Sequence, residues 1–166
     1  MRDIPRVAIE CATLTGGFLI ILAVALGLTN YMILAEVPMR ALELVQTYIE
    51  SPLVFLLVLN IFLIIVGGLM DIYSAIFVIV PLVGPIGLAY GIEPTHLAII
   101  FLANLELGYL TPPMGENLFL SAYRFNQPLT TLFRSTLPLW VILLIGVLII
   151  TYVPALTLWP IAFFSN

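Results

Sequence analysis

The chain has 166 residues, of which 63% are hydrophobic and 8% charged, and its formal net charge is −4. A soluble domain carries about 25% charged residues, so this composition, with a mean hydropathy of +1.22, excludes an ordinary soluble fold and describes a membrane protein. The absence of Lys and the scatter of the five Arg argue against nucleic-acid binding, and Cys11, the only cysteine, can form no internal disulfide and has no metal-ligand spacing around it.

The opening MRDIPRVAIE carries Arg2 and Arg6 ahead of an apolar run too long for a secretory signal and without a small-residue cleavage site, so it is read as retained. No residue from Cys11 to Ala35 is charged, which provides one full crossing. Gly16, Gly17 and Gly27 suit close helix packing there, and Asn30 reads as an interhelical or interfacial polar group rather than a ligand. Over residues 36–51, Met39, Leu42, Val45 and Ile49 recur at helical spacing against Arg40, Glu43, Gln46 and Glu50. This predicts a short amphipathic helix on the membrane surface, an arm bracing the segments on either side.

Residues 52–92 hold two apolar pieces, each short for a crossing, joined by Gly67-Gly68-Leu69-Met70-Asp71-Ile72-Tyr73-Ser74. The residue pattern serves a re-entrant hairpin and a pair of ordinary helices with an external turn at Asp71 equally well. After Gly91, IEPTH offers a helix start, with Pro94 in the first turn and Thr95 as a cap. His96, the sole histidine, is read as interfacial. Residues 123–135 form a short basic loop, and the uncharged run from there to Asn166 supplies the final crossing, with Trp140, Tyr152 and Trp159 as interface anchors.

Between these lies GYLTPPMGEN, residues 108–117, within the apolar stretch 97–122. Pro112 and Pro113 remove two backbone donors and break the helix, while Gly108 and Gly115 let the chain turn. In hydrocarbon every freed N–H and C=O must find a partner, so such breaks survive where they line a protein-enclosed polar site. A lone proline would read as a packed kink; this cluster reads as a site. Gly108, Thr111 and Met114 stand three apart and in an unwound segment offer successive oxygens to a cation, Thr111 through its hydroxyl or carbonyl. Glu106 and Glu116 are either cation-binding or titrating groups or half-helix caps. Asp71 either holds the glycine turn together or, less readily, joins a cation. Asn104 and Asn117 are interhelical polar groups first and site residues second. Two such discontinuities in successive elements are how transporters build a midplane site, with carbonyls for Na⁺ and N–H groups for an anionic substrate. No Ser/His/Asp or Cys/His set and no phosphate-cradling loop is present, so no enzyme is expected.

GGLMDIYSAIFVIVPLVGPI and GIEPTHLAIIFLANLELGYLTPPMGENLFL together resemble the C-terminal repeat of the large membrane subunit of TRAP transporters, the tripartite ATP-independent periplasmic systems. The likeness runs from RDIPRV to ITYVPALTLWP. It implies a Na⁺-coupled, elevator-type importer built from two inverted repeats. Such an importer takes C4-dicarboxylates, sialic acid or other organic acids from a periplasmic binding protein and works beside a small membrane subunit. On that likeness Gly67, Gly68 and Asp71 form a re-entrant hairpin tip, Gly108, Thr111 and Met114 contribute to a Na⁺ site, and Pro112 and Pro113 break the helix. Glu116 departs from the family, which more often has an apolar residue there. Family subunits are also over twice this length, so the chain corresponds to the last part of one: a fragment, a truncated product or half of a split permease.

The expected fold class is therefore an all-α polytopic membrane protein with a re-entrant hairpin and a discontinuous helix. Its divisions are 1–51 (scaffold helix and arm), 52–92 (hairpin), 93–122 (broken transport helix) and 123–166 (loop and last crossing). The positive-inside rule groups Arg2, Arg6, Arg124 and Arg134 on the cytoplasmic side of the bacterial inner membrane, with Arg40 opposite and the C-terminus periplasmic. The alternatives are a non-transporting remnant or assembly partner, and a Na⁺/carboxylate symporter that needs no binding protein.

Overall fold

A computed structural model describes residues 3–70, 72–113 and 115–164, and these form helices without a strand. In chain order they are α1 (Asp3–Leu34), α2 (Val37–Tyr48), α3 (Pro52–Leu69), α4 (Ile72–Ala89), α5 (Pro94–Gly108), α6 (Glu116–Phe125), α7 (Leu129–Tyr152) and α8 (Ala155–Phe164). Among the described residues, α3, α4 and α7 are each long and apolar enough to cross a membrane. The all-α membrane architecture expected from composition is thus present.

The segment expected as a surface arm forms α2. Its predicted stripe is present, with Ala41, Leu42, Val45 and Ile49 packed against the core and Arg40, Glu43, Gln46 and Glu50 exposed. Met39 differs from the expected pattern: it lies exposed, and Ala41 takes its place in the stripe. The arm packs on α4, and α1 packs on α4 as well, where the Thr29 hydroxyl donates to the Phe77 carbonyl.

α3 and α4 form a helical hairpin. At its base Phe55 and Tyr90 stack with ring centroids 4.5 Å apart, and the Tyr90 hydroxyl donates to the Ile49 carbonyl. At its other end only residues 70 and 71 separate the two helices, and Asp71 lies outside the described residues. The main packing is between α3 and α5. Phe55, Leu59, Leu63 and Val66 on α3 face Leu97, Ile100, Phe101 and Leu105 on α5, and Leu63, Ile100 and Leu105 are fully enclosed. Within lipid, side-chain burial gains little from leaving water, so close packing and small residues hold such helices together. Here the limit is reached at the hairpin end. A methyl group on Gly108 would lie 2.6 Å from the Gly67 Cα, and one on Gly67 would lie 2.8 Å from the Leu105 carbonyl oxygen.

Glu93, not Thr95, caps α5. The residue before Pro94 is extended (φ −65°, ψ 135°), which places Glu93 at the cap and Thr95 inside the first turn. The Glu93 carboxylate accepts the His96 backbone N–H at 2.8 Å and the Thr95 hydroxyl at 3.0 Å. The run expected as one final crossing is two helices: Pro154 ends the ladder after α7, and α8 turns back to pack on α5.

Two expectations follow. Gly67→Ala and Gly108→Ala force backbones apart and should lower the thermal midpoint of the purified membrane protein by several degrees, whereas Gly84→Ala and Gly146→Ala meet no atom within 4 Å and should leave it unchanged. A Gly67→Ala protein as stable as its parent would refute the contact. The Glu93 carboxyl is held below its ordinary value of 4.5, chiefly by the His96 backbone N–H. A depressed folded-state pKa adds stability that is complete above about 4.5 and lost as pH falls through the lower value. Glu93→Gln should therefore reduce the difference in thermal midpoint between pH 7 and strongly acidic buffer, and an unaltered difference would remove the cap.

Candidate functional site: the hairpin end against the broken helix

α5 ends where its backbone donors run out. Tyr109 N–H still reaches Leu105, but Leu110 and Thr111 bond only three residues back, to Leu107 and Gly108, and Pro112 and Pro113 have no N–H to give. The Pro112–Pro113 peptide bond is cis. The chain then folds back so that Gly115 N–H donates to the Thr111 carbonyl at 3.1 Å, and α6 begins at Glu116. Gly115 was read from sequence only as a turn residue, yet its part is larger. A methyl there would lie 2.5 Å from the Tyr109 carbonyl oxygen and 2.8 Å from that of Thr111, so only glycine closes the loop.

The hairpin end seats directly on this break. A methyl built on Gly68 would have the carbonyl oxygens of Thr111, Gly108 and Pro112 at 3.4, 3.7 and 3.7 Å. Three carbonyl oxygens thus border one small space beside a residue with no side chain, those of Gly108 and Thr111 also accepting the Thr111 and Gly115 backbone N–H groups. Converging carbonyls of this kind attract a small cation and repel an anion. Of the residues singled out from sequence, Gly68, Gly108 and Thr111 are brought together here, and Asp71 and Met114 lie outside the described residues. Pro112 and Pro113 form the break and are exposed. Glu116 and Asn117 are exposed in the first turn of α6, and Glu116 stands where the positive end of the helix dipole favours a carboxylate. Glu106 is exposed on α5.

Trp140 has a partner that no spacing in the sequence pointed to. Expected as an interface anchor, it stands midway along α7, half-buried, with its indole N–H donating to Thr111 Oγ1 at 2.9 Å. The Thr111 hydroxyl in turn donates to the Leu107 carbonyl at 3.0 Å. On the other side of the break lies a cleft of about 370 Å³ lined by Pro112, Pro113, Leu118, Phe133 and Arg134.

A second polar cluster braces the same helices. Asn104 Nδ2 donates to Asn60 Oδ1 at 2.5 Å and to the Ile100 carbonyl, joining α5 to α3, and the Thr151 hydroxyl of α7 lies 3.1 Å from the same Asn60 oxygen. His96, expected at the interface without a partner, is buried instead. Its Nε2 lies 3.2 Å from the Thr151 carbonyl, which only accepts, so that nitrogen carries a proton, and Nδ1 lies 2.8 Å from the Thr157 hydroxyl of α8. No spacing in the sequence pointed to Thr151 and Thr157 as its partners, 55 and 61 residues away.

A hairpin docked end-on against a broken helix, in an apolar all-helical chain, is the discontinuous-helix arrangement met in membrane transport proteins. The family model of the tripartite ATP-independent periplasmic transporter, DctM component, matches residues 1–156. The chain belongs to that family. It is 36% identical over 95% of its length to the C4-dicarboxylate TRAP transporter large permease protein of Pseudomonas aeruginosa, of which it covers 37%. It is 32% identical over 91% of its length to an isethionate TRAP transporter permease protein of Oleidesulfovibrio alaskensis, covering 24% of it. Against a sialic acid TRAP transporter large permease protein of Vibrio cholerae it is 33% identical over 74% of its length, covering 29% of that protein. The chain thus spans between a quarter and rather more than a third of these relatives. Family and apolar helices together mark an integral inner-membrane protein.

The Asn60–Asn104 pair gives a direct check of the packing. Asn60→Leu or Asn104→Leu alone leaves a buried amide without its partner and should cost about 1–3 kcal/mol, while the double substitution should cost less than the sum, by about 0.5–2 kcal/mol. Strict additivity in a denaturation cycle would separate the two residues.

Proposed function

We propose that this chain supplies an ion-binding half-site of a Na⁺-coupled importer of organic acids and acts together with the parts of the transporter that lie outside its length. The observation that carries this reading is the seating of Gly67 and Gly68 on the break, with the carbonyls of Gly108, Thr111 and Pro112 facing one space beside Gly68. Na⁺ is the coupling ion and is cargo rather than a resident cofactor. Gly108 and Thr111 contribute oxygens from the broken helix, Gly68 leaves room for the ion, and Met114 and Asp71 complete the set. The solute is an anion of the C4-dicarboxylate, sialic acid or similar class. The relatives' names support this, as does the physical advantage of entering a low-dielectric site beside a cation.

The partners in this reading are the N-terminal repeat of the large subunit, a small membrane subunit and a periplasmic binding protein. The N-terminus and the 123–135 loop face the cytoplasm, and the C-terminus faces the periplasm. The hairpin is re-entrant. Its base is level with the end of α7, where the Tyr152 hydroxyl donates to the Leu53 carbonyl at 3.3 Å, and its glycines meet the break beside Trp140. Roughly 8 Å of α7 at 1.5 Å per residue separates that level from the 123–135 loop, which supports a hairpin that ends inside the bilayer rather than crossing it. Alternating access is an elevator-like movement of the hairpin, α3 and α4, with the broken helix, α5 and α6, against a scaffold that includes α1 and the α2 arm; the main packing of the chain, between α3 and α5, supports hairpin and broken helix moving together.

Solute uptake into proteoliposomes by the chain assembled with its partners tests the reading. Uptake should require both a Na⁺ gradient and the loaded binding protein. Thr111→Ala should raise the Na⁺ concentration for half-maximal uptake severalfold. Uptake indifferent to Na⁺ in the unaltered protein would overturn the coupling, and stable assembly without uptake would make the chain a structural remnant.

A further inference from the structure

The Trp140–Thr111 hydrogen bond has a role that the family assignment does not supply. We infer that Trp140 is a positioning residue for the ion: its indole N–H holds the Thr111 hydroxyl oxygen in one orientation and ties that oxygen to α7. This inference rests on the proposed ion site and adds a residue to it.

Three observations carry it. The first is direction. An indole N–H only donates, so at 2.9 Å Thr111 Oγ1 must be the acceptor. The single hydroxyl proton of Thr111 is therefore turned away from Trp140 and donated to the Leu107 carbonyl, whose oxygen lies 3.0 Å from Oγ1. With its proton on Leu107 and one lone pair on Trp140, the oxygen keeps one lone pair free and has one orientation available. A free threonine hydroxyl samples several orientations, and restricting them in advance lowers the entropy lost when an ion binds.

The second is depth. Tryptophans that anchor a helix sit at the headgroup level near its ends. Trp140 stands roughly 8 Å beyond the 123–135 loop at 1.5 Å per residue, and its half-buried indole N–H is turned into the protein rather than toward headgroups. An indole N–H at that depth needs an acceptor inside the protein, and the Thr111 hydroxyl is the one it has.

The third is connection. α7 is fastened to the hairpin and to α5 at its far end, through Thr151 on Asn60, the Thr151 carbonyl on His96, and Tyr152 on Leu53. Trp140 adds the tie at mid-length, so α7 spans from the break to the hairpin base. A disturbance at Thr111 is thereby transmitted along a helix rather than lost in a loop.

The test is a double-substitution cycle in the assembled transporter. Trp140→Phe keeps an aromatic ring and removes the donor, and Thr111→Val keeps the shape and removes the acceptor. Trp140→Phe should raise the Na⁺ concentration for half-maximal uptake about three- to tenfold, as expected for losing one hydrogen bond, with the solute half-saturation at saturating Na⁺ unchanged. In a Thr111→Val background, Trp140→Phe should add nothing further. An unchanged Na⁺ half-saturation in Trp140→Phe, or a full additional shift in the Thr111→Val background, would overturn the positioning role and leave the ion reading intact. Na⁺-independent uptake by the unaltered protein would overturn both.

If Trp140→Phe fails to assemble, tryptophan emission decides the matter without that variant. Na⁺, but not K⁺ or choline, should change the emission of the unaltered transporter, and Thr111→Val should abolish the change. No Na⁺-specific change in the unaltered transporter, or the same change in Thr111→Val, would overturn the inference.

Discussion

Everything near the site depends on two backbones touching. Gly67 and Gly108 bring α3 and α5 so close that neither position has room for a β-carbon, since added methyls would lie under 3.0 Å from backbone atoms of the other helix. In lipid this contact has no hydrophobic substitute, because the tails surrounding the helices are as apolar as the side chains that would separate them. The approach brings the hairpin end over the break. It also leaves the carbonyls of residues 108, 111 and 112 facing a space that a bulkier residue than Gly68 would fill.

The register of that contact is held by polar groups rather than by the apolar ones. Leu63, Ile100 and Leu105 fill the α3–α5 seam completely, but apolar side chains tolerate sliding more readily than directed bonds do. Asn60 and Asn104 do not, and Thr151 brings α7 to the same amide. His96 extends the arrangement to α8 through Thr157, which accounts for a ten-residue helix turning back onto the bundle after Pro154. The chain thus has two polar ties on one framework, one at the break through Trp140 and one near the hairpin base, joined by α7.

The framework explains how the arm and the first helix relate to the rest. α1 and α2 pack on α4, the outer leg of the hairpin, while α3, α5 and α7 share the polar ties. Large apolar residues such as Val54, Ile61 and Ile65 on the outer face of α3 remain exposed, a surface suited to lipid or to further transporter segments.

Several features were legible in the amino-acid order because their causes are local. Composition alone required a membrane fold, paired prolines required a break, and the spacing of Leu42, Val45 and Ile49 required an amphipathic arm. Close packing was expected at Gly16, Gly17 and Gly27, which meet no atom within 4 Å, and is found instead at Gly67 and Gly108; the TRAP family could be recognised from the motifs around residues 67–74 and 108–117. What the tertiary structure decided involves partners far apart in the chain. Thr95 lost the cap to Glu93 over a two-residue difference in backbone geometry. His96 is buried and Trp140 is half-buried with its N–H bonded because Thr157, Thr151 and Thr111 are carried to them by other helices. Periodicity reports which face of a helix is apolar; it does not report which polar atom on a distant segment will meet it, and that pairing arises only once the helices pack.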